Sequence, residues 1–111
     1  MSETTGTDEA IRLSGRHLFQ SYRPLPVAFD RGRGVMLRDL EGREYLDFIG
    51  GIAVSTLGHA HPALVKAIRE QAGRCLHVSN LFHIAEQAEA ARLLTETAGL
   101  DRAFFCNSGA E

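Results

Sequence analysis

The sequence predicts an α/β fold, and three observations carry that prediction. Two stretches, one opening at His61 and one running from Ala85 to Ala98, repeat apolar residues at helical spacing. Arg33 to Phe48 reads as strand, turn and strand. Arg102 to Cys106 reads as a short strand that runs directly into Asn107-Ser108-Gly109-Ala110-Glu111, the start of a helix. Helix, strand and helix start, in that order, are the grammar of an α/β layer.

The elements follow in chain order. Residues 1–10, MSETTGTDEA, have no basic start and no apolar centre, so they read as a short disordered tail and not as a signal peptide. Ile11 to Gln20 can hold a short helix, weakened by Ser14-Gly15. Pro24 and Pro26 then force an extended path, because each proline restricts itself and the residue before it. In the hairpin, Val35, Leu37, Tyr45 and Phe48 supply the strands and Asp39-Leu40-Glu41-Gly42 the turn. Gly50-Gly51 breaks the pattern, and Ile52 to Leu57 is a further apolar segment ending at Gly58. Pro62 suits a first helical position, where no amide partner is lost. Leu64, Val65, Ile68 and Ala72 then fall on one face, with Lys66, Arg69 and Glu70 directed elsewhere. The second helix has a stripe of Ile84, Ala88, Ala91 and Leu94, and Gly99 is placed to cap it.

At 111 residues the chain is long enough to enclose a core of its own. Its 44% hydrophobic and 23% charged content is that of a globular protein. A formal net charge of -2 leaves no basic footprint for nucleic acid. Two cysteines, Cys75 and Cys106, make no disulfide framework, and a reduced, cytoplasmic chain is the expectation. No apolar run is long enough to span a membrane. Eleven of the twelve basic residues are arginine, and the exception is Lys66.

The chemistry concentrates in Asn107-Ser108-Gly109-Ala110-Glu111. The first amides of a helix have no internal partners and point out of its N-terminus, where they favour an anion. Glycine lets a phosphate approach the backbone closely. Ser108 adds a hydroxyl donor, so Ser108, Gly109 and Ala110 together can grip one phosphate group. The same residues support a plainer reading. Ser108 with Glu111 three positions on is a capping box, and a serine capping its own helix has less to offer a ligand. His59-Ala60-His61, with His77 and His83 beyond, has no cysteine or carboxylate at a spacing that completes a metal site. These histidines read as turn or cap residues, and no metal is expected. Cys106 has no base beside it in sequence and reads as a buried strand cysteine. Arg31 and Arg33 flank Gly32 in a loop and read as solvated charges.

From Tyr22 to Glu111 the sequence resembles the class III, ornithine-type, pyridoxal-phosphate aminotransferases, most closely their acetylornithine branch. Tyr22-Arg23-Pro24-Leu25-Pro26-Val27, Arg31-Gly32-Arg33-Gly34, the run from Asp39 to Phe48 and Gly58-His59-Ala60-His61-Pro62 carry the class resemblance. His77-Val78-Ser79-Asn80-Leu81-Phe82 and the run from Phe105 to Glu111 carry the branch. The resemblance implies a fold-type I architecture. Residues 11–58 would be an N-terminal small-domain segment with its hairpin, and 59–111 the start of the large domain that binds pyridoxal 5'-phosphate, with the first strand of its sheet. It implies that Ser108, Gly109 and Ala110 hold the cofactor phosphate, and that Tyr22 and Ile52 border the substrate pocket. Ornithine aminotransferases tend to carry tyrosine at the position of Ile52. The implied reaction moves an amino group from N2-acetylornithine to 2-oxoglutarate in arginine biosynthesis, in a cytoplasmic homodimer. Succinylornithine, ornithine and 4-aminobutyrate aminotransferases share much of this region and are the alternatives within the class. A non-catalytic phosphate-binding module is the alternative outside it. The lysine that forms the Schiff base is not expected among these residues, because Lys66 sits on the polar side of its helix. The sequence thus reads as an N-terminal fragment, itself inactive, with no catalytic residue of its own.

Overall fold

The computed structural model describes residues 5–110. Its contacts divide the chain into two units, Met1–Glu70 and Gln71–Glu111. The expected bounds of 11–58 and 59–111 concern a different division, that of the complete enzyme into domains. His59 is tied by hydrogen bonds to Gly34 and Asp47, which belong to the first unit.

The first unit opens with helix α1, Gly6–His17. It starts five residues before the predicted Ile11, within the stretch read as a disordered tail. Thr5 and Asp8 explain the difference. The Thr5 hydroxyl accepts from the Asp8 amide at 3.1 Å and the Asp8 carboxylate accepts from the Thr5 amide at 3.2 Å, a reciprocal cap. Thr7 then docks on the hairpin, donating its amide to Glu41 Oε1 at 2.9 Å and its hydroxyl to Glu41 Oε2 at 2.6 Å. These Thr7 bonds, hydroxyl first, hold the Glu41 carboxyl below the usual range. The remainder of the predicted tail, residues 1–4, lies outside the described residues. Ser14-Gly15 does not interrupt α1, which closes at the Leu18 amide on the Ser14 carbonyl.

Three antiparallel strands follow in the order β1-β2-β3: Phe29–Arg33, Met36–Asp39 and Glu44–Leu46. The predicted hairpin is β2 with β3, in the register Met36 opposite Leu46 and Arg38 opposite Glu44. The sequence reads Arg31 to Arg33 as a loop, and these residues instead end strand β1. Its sequence, Phe-Asp-Arg-Gly-Arg, has no apolar alternation, and its extension comes from pairing with β2, with a bulge between Phe29 and Arg31. The turn is pinned by Asp39, 2% exposed. Its carboxylate accepts the Arg43 amide at 2.7 Å and the Tyr45 hydroxyl at 2.8 Å. Burial, the largest single influence, pushes that carboxyl up, but the bonds from Tyr45 and the Arg43 amide outweigh it and leave the group below its ordinary value. Tyr45 also meets Phe29 edge-on, ring centroids 5.4 Å apart.

A short helix, α2, covers Gly50–Ala53, where the sequence suggested only a break and an apolar run. Helix α3, Pro62–Ala72, begins at the predicted proline. In the second unit, α4 spans Ala85–Ala98 and ends at Gly99, which takes the left-handed conformation of a C-cap, φ 67°. Arg92 bridges Glu89 and Glu96 on its solvent face.

Two expectations fail in the second unit. Arg102 to Cys106 is not a strand, because no described residue offers it a ladder partner and a strand exists only by pairing. Asn107 to Ala110 forms a bend and turn instead of a helix start, and Glu111 lies outside the described residues. The core that the chain's length would allow is not formed. Among the described residues no hydrophobic side chain is buried, and Leu64, Ile68 and Leu94 of the predicted stripes are exposed. The helices have the right faces, and the described residues offer no surface to bury them against.

Candidate functional site

The residues singled out by sequence fall in both units, Tyr22 and Ile52 in the first and Ser108, Gly109 and Ala110 in the second.

In the second unit, the 107–110 turn presents Ser108, Gly109 and Ala110 to solvent. The Cys106 thiol donates to the Ser108 carbonyl at 3.2 Å. Cys106 is exposed, against the expectation of a buried strand cysteine, since the strand that would bury it is unformed. Gly109 does not need left-handed freedom, because its φ is not positive. A Cβ built on it meets nothing within 4 Å. The described residues therefore make no demand for glycine here, and the space in front of the backbone is open among them. Three exposed residues, one of them a serine and one without a side chain, can direct a hydroxyl and successive amides at a phosphate. The capping partner predicted for Ser108, Glu111, is outside the described residues.

In the first unit, Tyr22 is 85% exposed and lines an open cleft with Ile11, Arg23, Pro24 and Leu25. Ile52 is also 85% exposed and is not among the residues of that cleft. It lies in α2, where the backbone is unusual. Gly50, Gly51, Ile52 and Ala53 have φ of 56°, 65°, 61° and 61°, so α2 is a left-handed turn. Sequence reasoning missed this turn and the residue that caps it. Asp47 accepts the amides of Ile49 and Gly50 on Oδ1, both at 2.9 Å, and its Oδ2 lies 2.6 Å from His59 Nε2. The Gly50 amide first, then His59 and the Ile49 amide, hold the Asp47 carboxyl below the usual range. The available signal was Asp47 two residues ahead of Ile49 and three ahead of Gly50-Gly51, the spacing of an aspartate that folds back on its own backbone.

The other candidates resolve simply. Lys66 is exposed on α3 and pairs with Glu70 at 2.6 Å, one turn along. Arg31 pairs with Asp30 at 2.6 Å. His61 has a buried Nδ1 with no hydrogen-bond partner among the described residues. Among those residues no three His, Cys, Asp or Glu side chains converge on a metal position. No helix of theirs is long and apolar enough to cross a membrane.

The family model for class-III aminotransferases matches residues 18–111. The chain belongs to the class-III aminotransferases. Members of this class depend on pyridoxal phosphate. Acetylornithine aminotransferase of Myxococcus xanthus is 49% identical over 110 residues, which cover 99% of this chain and 27% of that protein. The acetylornithine aminotransferase of Halalkalibacterium halodurans is 55% identical over 95 residues, covering 86% and 25%. Among solved structures, acetylornithine aminotransferase from Elizabethkingia anophelis matches with a TM-score of 0.89 at 36% identity, over 94% of this chain and 27% of that one. Ornithine delta-aminotransferase of Plasmodium falciparum matches with a TM-score of 0.88 at 30% identity, again over 94% and 27%. The chain thus spans about a quarter of the length of the class-III aminotransferases it matches. Its α/β elements are those of the N-terminal part of that fold, as the sequence predicts.

Proposed function

We propose that this segment belongs to an aminotransferase that moves an amino group from N2-acetylornithine to 2-oxoglutarate, in arginine biosynthesis. One observation carries the choice of donor: eight curated relatives at 43% to 55% identity are all named acetylornithine aminotransferase. In this reading the protein works as a cytoplasmic homodimer. Residues 11–58 contribute to its small domain, and 59–111 open its cofactor-binding domain.

Pyridoxal phosphate, when bound, supplies the electron sink for transamination. The residues here would position it and its substrate. The Ser108 hydroxyl and the amides of Gly109 and Ala110 donate to the phosphate, fixing one end of the cofactor. Tyr22 and Ile52 border the amino donor, with Ile52 offering an aliphatic surface and no hydrogen bond. No residue of the segment forms the covalent link to the cofactor. Lys66, its only lysine, is held in the surface pair with Glu70.

A second reading, ornithine as donor, is favoured by the ornithine aminotransferase structures that match with TM-scores of 0.88 and 0.89. Their identities of 28% to 30% lie below those of the acetylornithine relatives. Ile52 offers a test. In the complete enzyme, Ile52→Tyr is expected to move the ratio of kcat/KM for N2-acetylornithine over ornithine toward ornithine by roughly tenfold, because the site gains a hydrogen-bonding group. Steady-state kinetics with both donors reads the ratio, and a ratio that stays put removes Ile52 from the specificity argument. Greater activity of the unaltered enzyme on ornithine than on N2-acetylornithine would overturn the proposed donor itself.

A further inference from the structure

Among the described residues the left-handed turn of α2 has no apolar packing to hold it. Ile52 is 85% exposed and Val54 78% exposed, so within this segment polar contacts, and not burial, hold the disfavoured backbone. A β-branched residue at positive φ is a steric outlier, and Ala53 beside it adds a second. Such a conformation persists only where its surroundings over-determine it, and these conformations cluster at functional sites.

The surroundings are a short series of polar contacts within the first unit. Asp47 Oδ1 takes the amides of Ile49 and Gly50, the two residues that lead into the turn. The Ile49 carbonyl accepts from the Ile52 amide at 2.9 Å, and the Gly50 carbonyl accepts from the Val54 and Ser55 amides at 3.0 and 2.8 Å. Asp47 Oδ2 is held at 2.6 Å by His59 Nε2. His59 cannot drift, because its backbone exchanges two hydrogen bonds with Gly34, at 2.9 and 2.8 Å. Its side chain also lies against Gly32 of β1, where an added Cβ would fall 2.6 Å from His59 Cγ. The sheet therefore fixes His59, His59 fixes Asp47, and Asp47 fixes the turn that carries Ile52.

We propose that Asp47 is a positioning residue for the amino donor, anchored by His59, which holds the left-handed turn so that Ile52 meets the donor in one fixed place. The proposal rests on the reading of Ile52 as a border of the donor pocket. It assigns selectivity to a carboxylate that need not touch the substrate.

The test uses the complete aminotransferase with its cofactor bound. Asp47→Ala removes both acceptors. It is expected to raise KM for the donor about tenfold, to leave kcat within about twofold, and to strip exchange protection from the amides of Ile49, Gly50 and Ile52. Asp47→Asn keeps an oxygen for the Ile49 and Gly50 amides and turns an NH2 donor toward His59 Nε2, which accepts it in the Nδ1-protonated tautomer, and is expected to restore both readings. A folded Asp47→Ala enzyme that keeps the protection overturns the proposal. So does one that loses protection with an unchanged donor KM, since Asp47 then has a structural role alone. If Asp47→Ala does not fold, His59→Ala carries the test, because it removes the anchor and leaves the backbone exchange with Gly34. There too, donor KM and amide protection must move together. Ile52→Tyr in the unaltered background separates the two claims. Constant donor selectivity in that variant overturns the reading of Ile52 and the proposal with it. Shifted selectivity with no response to Asp47→Ala overturns this proposal alone.

Discussion

Expressed as these 111 residues alone, the chain is expected to melt without a cooperative transition, to self-associate, and to show no transamination. The accessible surface is 10,293 Å². Two compact units of these sizes, even standing fully apart, would expose roughly 7,000 Å² together. Large apolar side chains contribute to the excess. Phe19, Phe48, Leu76, Leu81 and Phe104 are each more than four-fifths exposed, and no hydrophobic residue among those described is buried. Without a buried core there is little favourable free energy to set against the entropy of ordering the chain. The local bonds that do exist, such as the Thr5 cap and the Arg92 bridges, are exposed, and bonds of that kind add little to stability. The sheet adds two open edges, β1 and β3, on which copies can pair. Activity fails for a separate reason, since the one lysine is held in a surface pair on α3. Calorimetry, an amide-resolved spectrum and a transamination assay read all three. A sharp, dispersed spectrum with a cooperative melt from a monomer would show that the exposed faces are tolerated. Turnover would show that a lysine-independent route exists.

The same exposure explains which parts of the fold were legible in sequence. Helix α4 and its Gly99 cap depend on spacing and one special residue, and both could be read directly. The β2–β3 hairpin was legible because alternation and an Asp-Leu-Glu-Gly turn coincide there. Strand β1 was not, because Asp30, Arg31 and Gly32 acquire their extended form only from β2. The early start of α1 follows from the Thr5–Asp8 cap, a local pattern that the sequence reading passed over, whereas the docking of Thr7 on Glu41, 34 residues away in sequence, is announced by no local pattern. Arg102 to Cys106 failed in the opposite sense. Its residue types favour a strand, but the ladder partner that type presupposes is not among the described residues. At the candidate site, Ser108 and Gly109 were visible as a turn with donors. The left-handed run from Gly50 to Ala53 was not, because nothing in the residue type of Ile52 suggests positive φ. The requirement sits in Asp47 and His59 instead.

In the complete enzyme, Gly109→Val is expected to abolish most cofactor binding, and Ser108→Ala to weaken it by roughly ten- to hundredfold. The serine change removes one hydrogen bond to a charged phosphate, worth about 1.5–3 kcal/mol, and each 1.4 kcal/mol is tenfold in affinity. The glycine change acts by exclusion. Gly109 has no left-handed φ to protect, and an added Cβ would meet no atom within 4 Å. A valine there is therefore tolerated by the turn itself, and its isopropyl group occupies the space through which a phosphate reaches the amides. That separation makes the pair informative. If the turn is only a helix cap, Ser108→Ala lowers the melting temperature of the cofactor-free enzyme and Gly109→Val leaves affinity alone. If the turn holds the phosphate, both variants keep their cofactor-free melting temperature within a few degrees, about 1 kcal/mol of stability or less, and lose affinity in the order valine before alanine. Titration of pyridoxal phosphate into the cofactor-free variants, followed by absorbance, with melts of the same samples, decides between them. Unchanged affinity in both variants would leave Ser108 and Gly109 with no part in holding the cofactor.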